Sequence, residues 1–313
     1  MRHRKAKDLV HWERRYPAGQ RGGYGEYVDH IKALRDGYYQ EFLDNKRETL
    51  PSVDEIIAAF GEAPPEEFSR AYDVSDQDLE GRLEHIQRKY LLRFKNIRRS
   101  WSLLLQFMPE LMSKNRSLSI LEMSTAHGAT LEILRHFGHV VTGNDYANFL
   151  GRKGAVDTRY RRLNEFDLSR HMDDHGLQSI SDDDETGNGM IDWPYRPIIE
   201  SVSLDVDLFD AGRVPYPYKD NSFDCVICMD AIEHYCHPLD WMGVVDEFTR
   251  ISQQSVLLIT NPVQKHRLDD AQYMNAFYSF QQAMRQYDKR GFQCIHAGIR
   301  RNQLTTFKLA KLA

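Results

Sequence analysis

The stretch SILEMSTAHGATLEILRHFGHVVTGNDYA, residues 119–147, reads as a strand, a tight loop, a helix and a second strand that ends in an acid. That order opens a nucleotide-cofactor fold, in which ligands bind beyond the carboxyl ends of parallel strands. The loop after Glu122 runs Met123-Ser124-Thr125-Ala126-His127-Gly128, and every other position is small: Ser124, Ala126 and Gly128. Small residues let a ligand approach the backbone closely. Asp145 stands 23 residues after Glu122, where an acid can take both hydroxyls of a ribose. The plainer alternative for Asp145 is a solvated turn residue.

Downstream, strand-like and helix-like segments keep alternating, the mark of a parallel sheet with crossover helices. Candidate strands are LSILEM, HVVTGND, SVSLDVD, DCVICMD and SVLLIT, followed by FQCIHAGI and LTTFKLA, which read as a hairpin across RRNQ. Upstream of Leu118 the texture differs. Residues 1–112 are rich in Arg, Lys, Glu and Tyr and read as a helical extension, a cap or acceptor-side domain, before a cofactor domain at 113–313. Ile31, Leu34 and Tyr38 recur at helical spacing. Ser52 and Glu55 form a capping pair for a short helix, and a longer helical run spans about Leu79 to Met112, broken by Pro109. A polar insert at about 166–199 exceeds an ordinary connection and reads as a lid or a mobile loop.

The segment LDVDLFDAGRVPYPYKDNSFDCVICMDAIEHYCHPLDWMGVVDEFTRISQQSVLLITNP, residues 204–262, resembles the class I S-adenosylmethionine-dependent methyltransferases. The likeness rests on Asp207, Pro215-Tyr216-Pro217, Asn221-Ser222-Phe223-Asp224, Glu233-His234 and Thr260-Asn261-Pro262 in that order, and it covers roughly residues 115–313. It implies a Rossmann-like α/β fold: a mostly parallel sheet of seven strands with flanking helices, the final hairpin supplying one antiparallel strand. It also implies S-adenosylmethionine as cofactor. Glu122 would orient the loop or the cofactor's amino group, and Ser124, Ala126 and Gly128 would stand at the loop's glycine positions. Asp145 would bind the ribose and Tyr146 would pack on the adenine. Asp207 and Leu208 would meet the adenine edge, with Asp210-Ala211 as a competing alignment, and Asp230 and Ala231 would touch the methionine part. Two usual glycines are replaced by Ser124 and Ala126, and a positive φ at either costs about 1–2 kcal/mol. SQQS replaces a Gly-Gly turn before the fifth strand.

Methyl transfer from a sulfonium depends on positioning, helped by removal of the acceptor's proton. The stretch DAIEHYCH offers Asp230, Glu233, His234 and His237. His234 is a natural base for a hydroxyl. Asp230, Glu233 and His234 also resemble a set that holds a divalent cation in ubiquinone-pathway O-methyltransferases, which suits Mg²⁺ or Mn²⁺. Equally, the Glu-His pair can simply shape its loop, and Glu122 can simply tie down loop amides. The resulting expectation is O-methylation of a small-molecule, saccharide or glycoconjugate hydroxyl. N-methylation, an NAD(P)-binding oxidoreductase and a non-catalytic scaffold are the rivals.

Other patterns carry less. Cys225 and Cys228, three apart on one strand, face opposite sides of the sheet and read as core thiols rather than a zinc pair. DDDETGNG begins like a calcium loop, but Trp193 occupies its twelfth position. Trp12, Tyr16, Tyr24 and Tyr27 read as a small helical core or as stacking surfaces for an acceptor. Trp193, Tyr195 and Arg196 offer acceptor contacts or ordinary packing. The 313 residues are 41% hydrophobic and 28% charged, with a net charge of −5, which gives no global basic field for nucleic acid. Four cysteines form no disulfide framework, no apolar run spans a bilayer, and the basic start has no apolar stretch behind it, so a cytoplasmic address is expected.

Overall fold

The computed structural model describes residues 63–80, 88–112, 114, 116–146, 162–164, 193–263, 267–300 and 303–311. The readings made on residues 1–62 and on 165–192, including the early aromatic cluster, the Ser52 helix and the acidic loop, lie outside the described residues.

Eight strands form one sheet: β1 Ser119–Met123, β2 Val140–Asp145, β3 Val206–Leu208, β4 Phe223–Met229, β5 Ser252–Ile259, β6 Asp288–Lys289, β7 Phe292–Arg300 and β8 Gln303–Lys311. Their order is β3-β2-β1-β4-β5-β8-β7-β6. The first five neighbours pair in parallel, and β8 lies antiparallel between β5 and β7. The seven expected strands are all present, and the two-residue β6 adds an eighth at the edge. From β1 the chain moves outward through β2 and β3, then returns to β4 on the other side of β1. This reversal leaves a crevice at the carboxyl ends of β1 and β4, where an open α/β sheet takes its ligand.

The helices are α1 Arg93–Phe107, α2 Ala129–His136, α3 Arg196–Ser201, α4 Trp241–Ile251 and α5 Ala271–Arg285. In α1 the buried residues Ile97, Trp101, Leu104 and Leu105 fall on one stripe, as an amphipathic helix requires. Alternate strand residues turn to opposite faces. Ile120, Ile227, Leu257 and Ile259 meet α1, α2 and α3. Leu121, Val226, Leu258 and Phe307 meet Trp241 and Phe248 of α4 and Phe277 and Phe280 of α5. Phe68, Tyr72 and Leu79, upstream of α1, belong to the first of these cores, so these residues and α1 share apolar packing with the sheet.

Three local readings shift. SVSL, expected within the third strand, is the end of α3 and its cap: Leu204 N–H donates to Ile199 O, Ser203 N–H to Glu200 O, and Ser203 has φ 51°. This is the hydrogen-bond pair of a left-handed helix stop, so only Val206–Leu208 extends. SQQS is not a turn but the first half of β5. The helical run expected from Leu79 condenses, among the described residues, to a short 3-10 turn at Arg88–Leu91 and α1, with Pro109 opening another 3-10 turn. Cys225 and Cys228 do face opposite cores, and all four cysteines are buried thiols.

Candidate functional site

The loop between β1 and α2 is built on left-handed backbone. Ser124 has φ 56°, Ala126 48° and Gly128 74°, so all three alternate small residues take the region that favours glycine. Only Gly128 is free of the Cβ penalty, and a Cβ there would lie 2.6 Å from Leu204 Cδ1 and 2.8 Å from Ile199 Cδ1. The loop is tied from several sides. Thr125 N–H donates to Asn144 O at 2.9 Å, Gly128 N–H to Thr125 O at 3.1 Å, and Ala129 N–H to His127 Nδ1 at 3.2 Å. Ser124 Oγ and Tyr235 Oη share a hydrogen bond of 2.7 Å. Glu122, at the end of β1, is buried beside Thr125 and Thr130, and its Oε2 has no hydrogen-bond partner. Burial pushes its carboxyl up to about 8, with the nearby Asp145 adding to the shift.

Asp145 closes β2 and is 2% exposed. Its Oδ2 accepts from Ala126 N–H at 2.9 Å and its Oδ1 from Tyr146 N–H at 2.7 Å. Burial raises it to about 6, opposed by those two amides and by hydrogen bonding from Trp193. Asp145 therefore fastens the loop. Trp193 and Tyr195, two of the insert residues read as acceptor contacts, are buried here, with Tyr195 packed against Tyr90 at 5.8 Å between ring centroids. Arg196 instead lies toward solvent near Glu200. Tyr90 also lies 5.0 Å from the His127 ring, and burial together with Arg99 pulls His127 down to about 3.

At the end of β4, Asp230 has φ 54° and its N–H donates to Ile259 O at 2.6 Å. Its Oδ2 pairs with Arg99 of α1. Ala231 is buried and its carbonyl accepts from His234 N–H at 2.8 Å. Glu233 is buried: its Oε1 accepts from the side-chain amide and the backbone N–H of Asn261, while its Oε2 has no partner. Burial, then Asp230, raises Glu233 to about 7. His234 is exposed on the same turn, and His237 caps the next one by accepting from Leu239 N–H at 3.2 Å.

The carboxyl ends of β1, β2 and β4 and the segments that follow them thus carry Glu122, Ser124, Ala126, Gly128, Asp145, Asp230, Ala231 and Glu233, with Tyr146 half-buried just beyond β2. Asp207 and Leu208 are exposed on β3, where Asp207 Oδ2 accepts from Tyr218 Oη at 2.7 Å; the competing Asp210 caps its own turn at Gly212 N–H. The proposed cation set does not converge. Asp230 faces Arg99, Glu233 faces Asn261 and His234 is exposed, and among the described residues no group of three His, Cys, Asp or Glu could hold a metal ion. Sequence reading missed Arg99 because it lies far upstream, among other basic residues of α1, with nothing in its spacing to single it out. No helix of the described residues is long and apolar enough to cross a membrane.

No family model matches the chain, and no curated protein matches it in sequence. Solved structures resemble it in fold at low identity. One is a candidate S-adenosyl-L-methionine-dependent methyltransferase of Methanococcus maripaludis, 9% identical with a TM-score of 0.41 over 78% of this chain and 98% of that one. Another is the magnesium protoporphyrin IX methyltransferase of Synechocystis with bound S-adenosylhomocysteine, 11% identical with a TM-score of 0.37 over 90% of this chain and 99% of that one. A third is a SAM-dependent methyltransferase of Aquifex aeolicus, 12% identical with a TM-score of 0.31 over 67% of this chain and 93% of that one.

Proposed function

We propose that this chain is an S-adenosylmethionine-dependent methyltransferase acting on a hydroxyl of a small molecule, saccharide or glycoconjugate. One observation carries the reading: the β1–α2 loop takes left-handed backbone at Ser124, Ala126 and Gly128, beside the unpaired carboxylate oxygen of Glu122. Strain of this kind persists where the surroundings hold a ligand-binding geometry in place.

The charges at the crevice favour this cofactor over a dinucleotide. A pyrophosphate needs free amides at the start of the helix. Here the N–H groups of Gly128 and Ala129 already donate to Thr125 O and His127 Nδ1. The acidic groups at the carboxyl ends of β1, β2 and β4 are Glu122, Asp145 and Asp230, with Arg99 paired to Asp230. A ligand with one ammonium, one carboxylate and no phosphate matches that set.

Glu122 Oε2 would accept from the amino group, Arg99 would take the carboxylate, and Asp145 would keep spare acceptor capacity for the ribose hydroxyls. The cofactor, when bound, supplies an electrophilic methyl group on a sulfonium. The loop from Asp230 to Glu233 would hold that group, and the packed rings of Tyr90, Trp193 and Tyr195 would shield it. Calorimetric titration of the purified chain with S-adenosylhomocysteine tests this. Micromolar binding that weakens at least tenfold in Asp145→Ala is expected, and absence of binding would remove the reading.

One observation favours a second reading, a partner-binding scaffold with this fold. Asp145 is 2% exposed and already fastens the loop amides, so its role is met without a ligand. A stable complex with another protein and no affinity for the cofactor would support it.

A further inference from the structure

Glu233 and His234 are neighbours on one 3-10 turn after β4, yet the fold treats them oppositely. His234 faces solvent, whereas Glu233 is 8% exposed and wedged between the loops that follow β4 and β5. Asn261, the second residue beyond β5, makes that wedge specific. Its side-chain amide donates to Glu233 Oε1 and to the Asp230 carbonyl, the latter at 3.3 Å, and its N–H donates to the same Oε1 at 3.3 Å. One carboxylate oxygen is thereby clamped. The other, Oε2, is buried with no hydrogen-bond partner.

The polar character continues along this edge of the sheet. Thr260 precedes Asn261, and its N–H donates to Thr305 O across β5 and β8 at 2.8 Å. The hydroxyl oxygens of Thr260 and Thr305 are likewise buried without partners. Three unpaired oxygens, one that accepts and two that donate or accept, complement a hydroxyl-bearing molecule better than an apolar one. Buried polar groups are ordinarily paired, so orphans on the segments that follow β4 and β5, where a sheet of this kind takes its ligand, point to a ligand.

We infer that Glu233, rather than His234, is the catalytic base that takes the acceptor hydroxyl's proton, and that Asn261 is the residue that positions it. The inference rests on the methyltransferase reading. The acceptor oxygen forms its bond to the methyl carbon as the sulfur–carbon bond breaks, sulfur keeps that electron pair, and the acceptor proton passes to Glu233 Oε2. Burial raises Glu233 most, the charge of Asp230 adds to it, and the amide of Asn261 opposes both. Arg99 is turned to Asp230, and exposed His234 lies on the outer side of the turn.

The test has two independent readouts on the full chain. Calorimetry with S-adenosylhomocysteine comes first: if the wild-type chain does not bind, the methyltransferase reading itself fails. Given binding, Glu233→Gln should bind within about threefold of wild type, because Gln keeps the contact to Asn261. Carboxyl ¹³C NMR of the complex, with Glu233→Gln used for assignment, should show Glu233 titrating near neutrality, and Asn261→Ala should move that titration upward. A Glu233 that titrates below about pH 5, or a Glu233→Gln chain that loses S-adenosylhomocysteine, overturns the assignment while leaving the methyltransferase reading intact. With phenol as the acceptor probe and labelled S-adenosylmethionine, Glu233→Gln should lower kcat at least 100-fold with the KM for the methyl donor within threefold. An acidic limb of the rate profile that disappears in His234→Ala instead would also overturn it.

Discussion

Arg99 on α1 forms an ion pair with Asp230 at the carboxyl end of β4, joining residues 131 positions apart across the mouth of the crevice. The arginine side chain is 43% exposed and the aspartate 13%, so the pair sits at the boundary with solvent. An exposed pair of this kind contributes roughly 0–1 kcal/mol to stability. Its value lies in placing a planar cation, with donors to spare, at the carboxyl end of β4. Arg99→Ala should therefore leave the melting temperature within about 2 °C and weaken S-adenosylhomocysteine at least tenfold by calorimetry. Arg99→Lys should recover only part of that loss. Unchanged affinity in Arg99→Ala would make the arginine purely a tie between α1 and the sheet.

The left-handed loop makes a stability prediction that needs no ligand. Ala126 has φ 48°, and its backbone N–H donates to Asp145 Oδ2. Ala126→Gly removes the Cβ penalty of about 1–2 kcal/mol but loosens the unfolded chain by about 0.4–1 kcal/mol. A net gain of about 0.5–1 kcal/mol in urea unfolding is expected. Ser124→Gly removes a similar penalty but also deletes the 2.7 Å hydrogen bond to Tyr235, so its change should lie near zero. Ala126→Val, which adds β-branching at positive φ, should destabilise.

Three buried carboxyls give the chain an unusual pH response. Burial raises Glu122 to about 8, Glu233 to about 7 and Asp145 to about 6. A carboxyl whose folded pKa lies above its unfolded one binds more protons when folded, so its stabilisation is complete at low pH and lost as pH rises through the folded value. The chain should accordingly lose thermal stability between pH 5.5 and 8.5, by on the order of 5 °C. Glu122→Gln should flatten much of that slope; a stability rising across the same interval would refute the burial argument. Cofactor binding should add a linked effect, because an ammonium beside Glu122 favours its charged form. Calorimetry in buffers of different ionisation enthalpy should then show proton release near pH 7.

Much of this was legible in the sequence, for physical reasons that differ by element. β1, β4 and β5 are buried on both faces and so appear as continuous apolar runs, which fixed the parallel centre of the sheet. The alternating small residues of the β1–α2 loop marked where close backbone approach is possible, and all three take positive φ. SVSL misled because alternation of apolar and polar residues also describes a helix stop in which Leu204 folds back on Ile199. Adjacent Glu233 and His234 could not be ranked, since which one is buried depends on Asn261 at the end of another strand. Arg99 reaches the site through tertiary packing from outside the sheet, and no local spacing marks it.

Gly143, in the middle of β2, decides whether the site can be built at all. A Cβ at this position would lie 2.5 Å from Thr125 Oγ1, 2.9 Å from Val206 Cγ2 and 3.0 Å from Leu131 Cδ1. Thr125 is the loop residue whose N–H bonds Asn144 O at 2.9 Å and whose hydroxyl donates to Glu122 O at 3.1 Å. The missing side chain lets the loop lie flat on β2 and brings Ala126 N–H to Asp145. Gly143→Ala must displace Thr125, β3 or α2. It should cost about 1–3 kcal/mol in urea unfolding through overpacking and weaken S-adenosylhomocysteine binding more than its stability loss alone explains. The double variant Gly143→Ala with Thr125→Ala removes the nearest clash and should recover part of the lost stability, which separates crowding at the loop from damage to the strand. A Gly143→Ala chain as stable as wild type would show that the loop has room to move and that its left-handed shape is not imposed by β2.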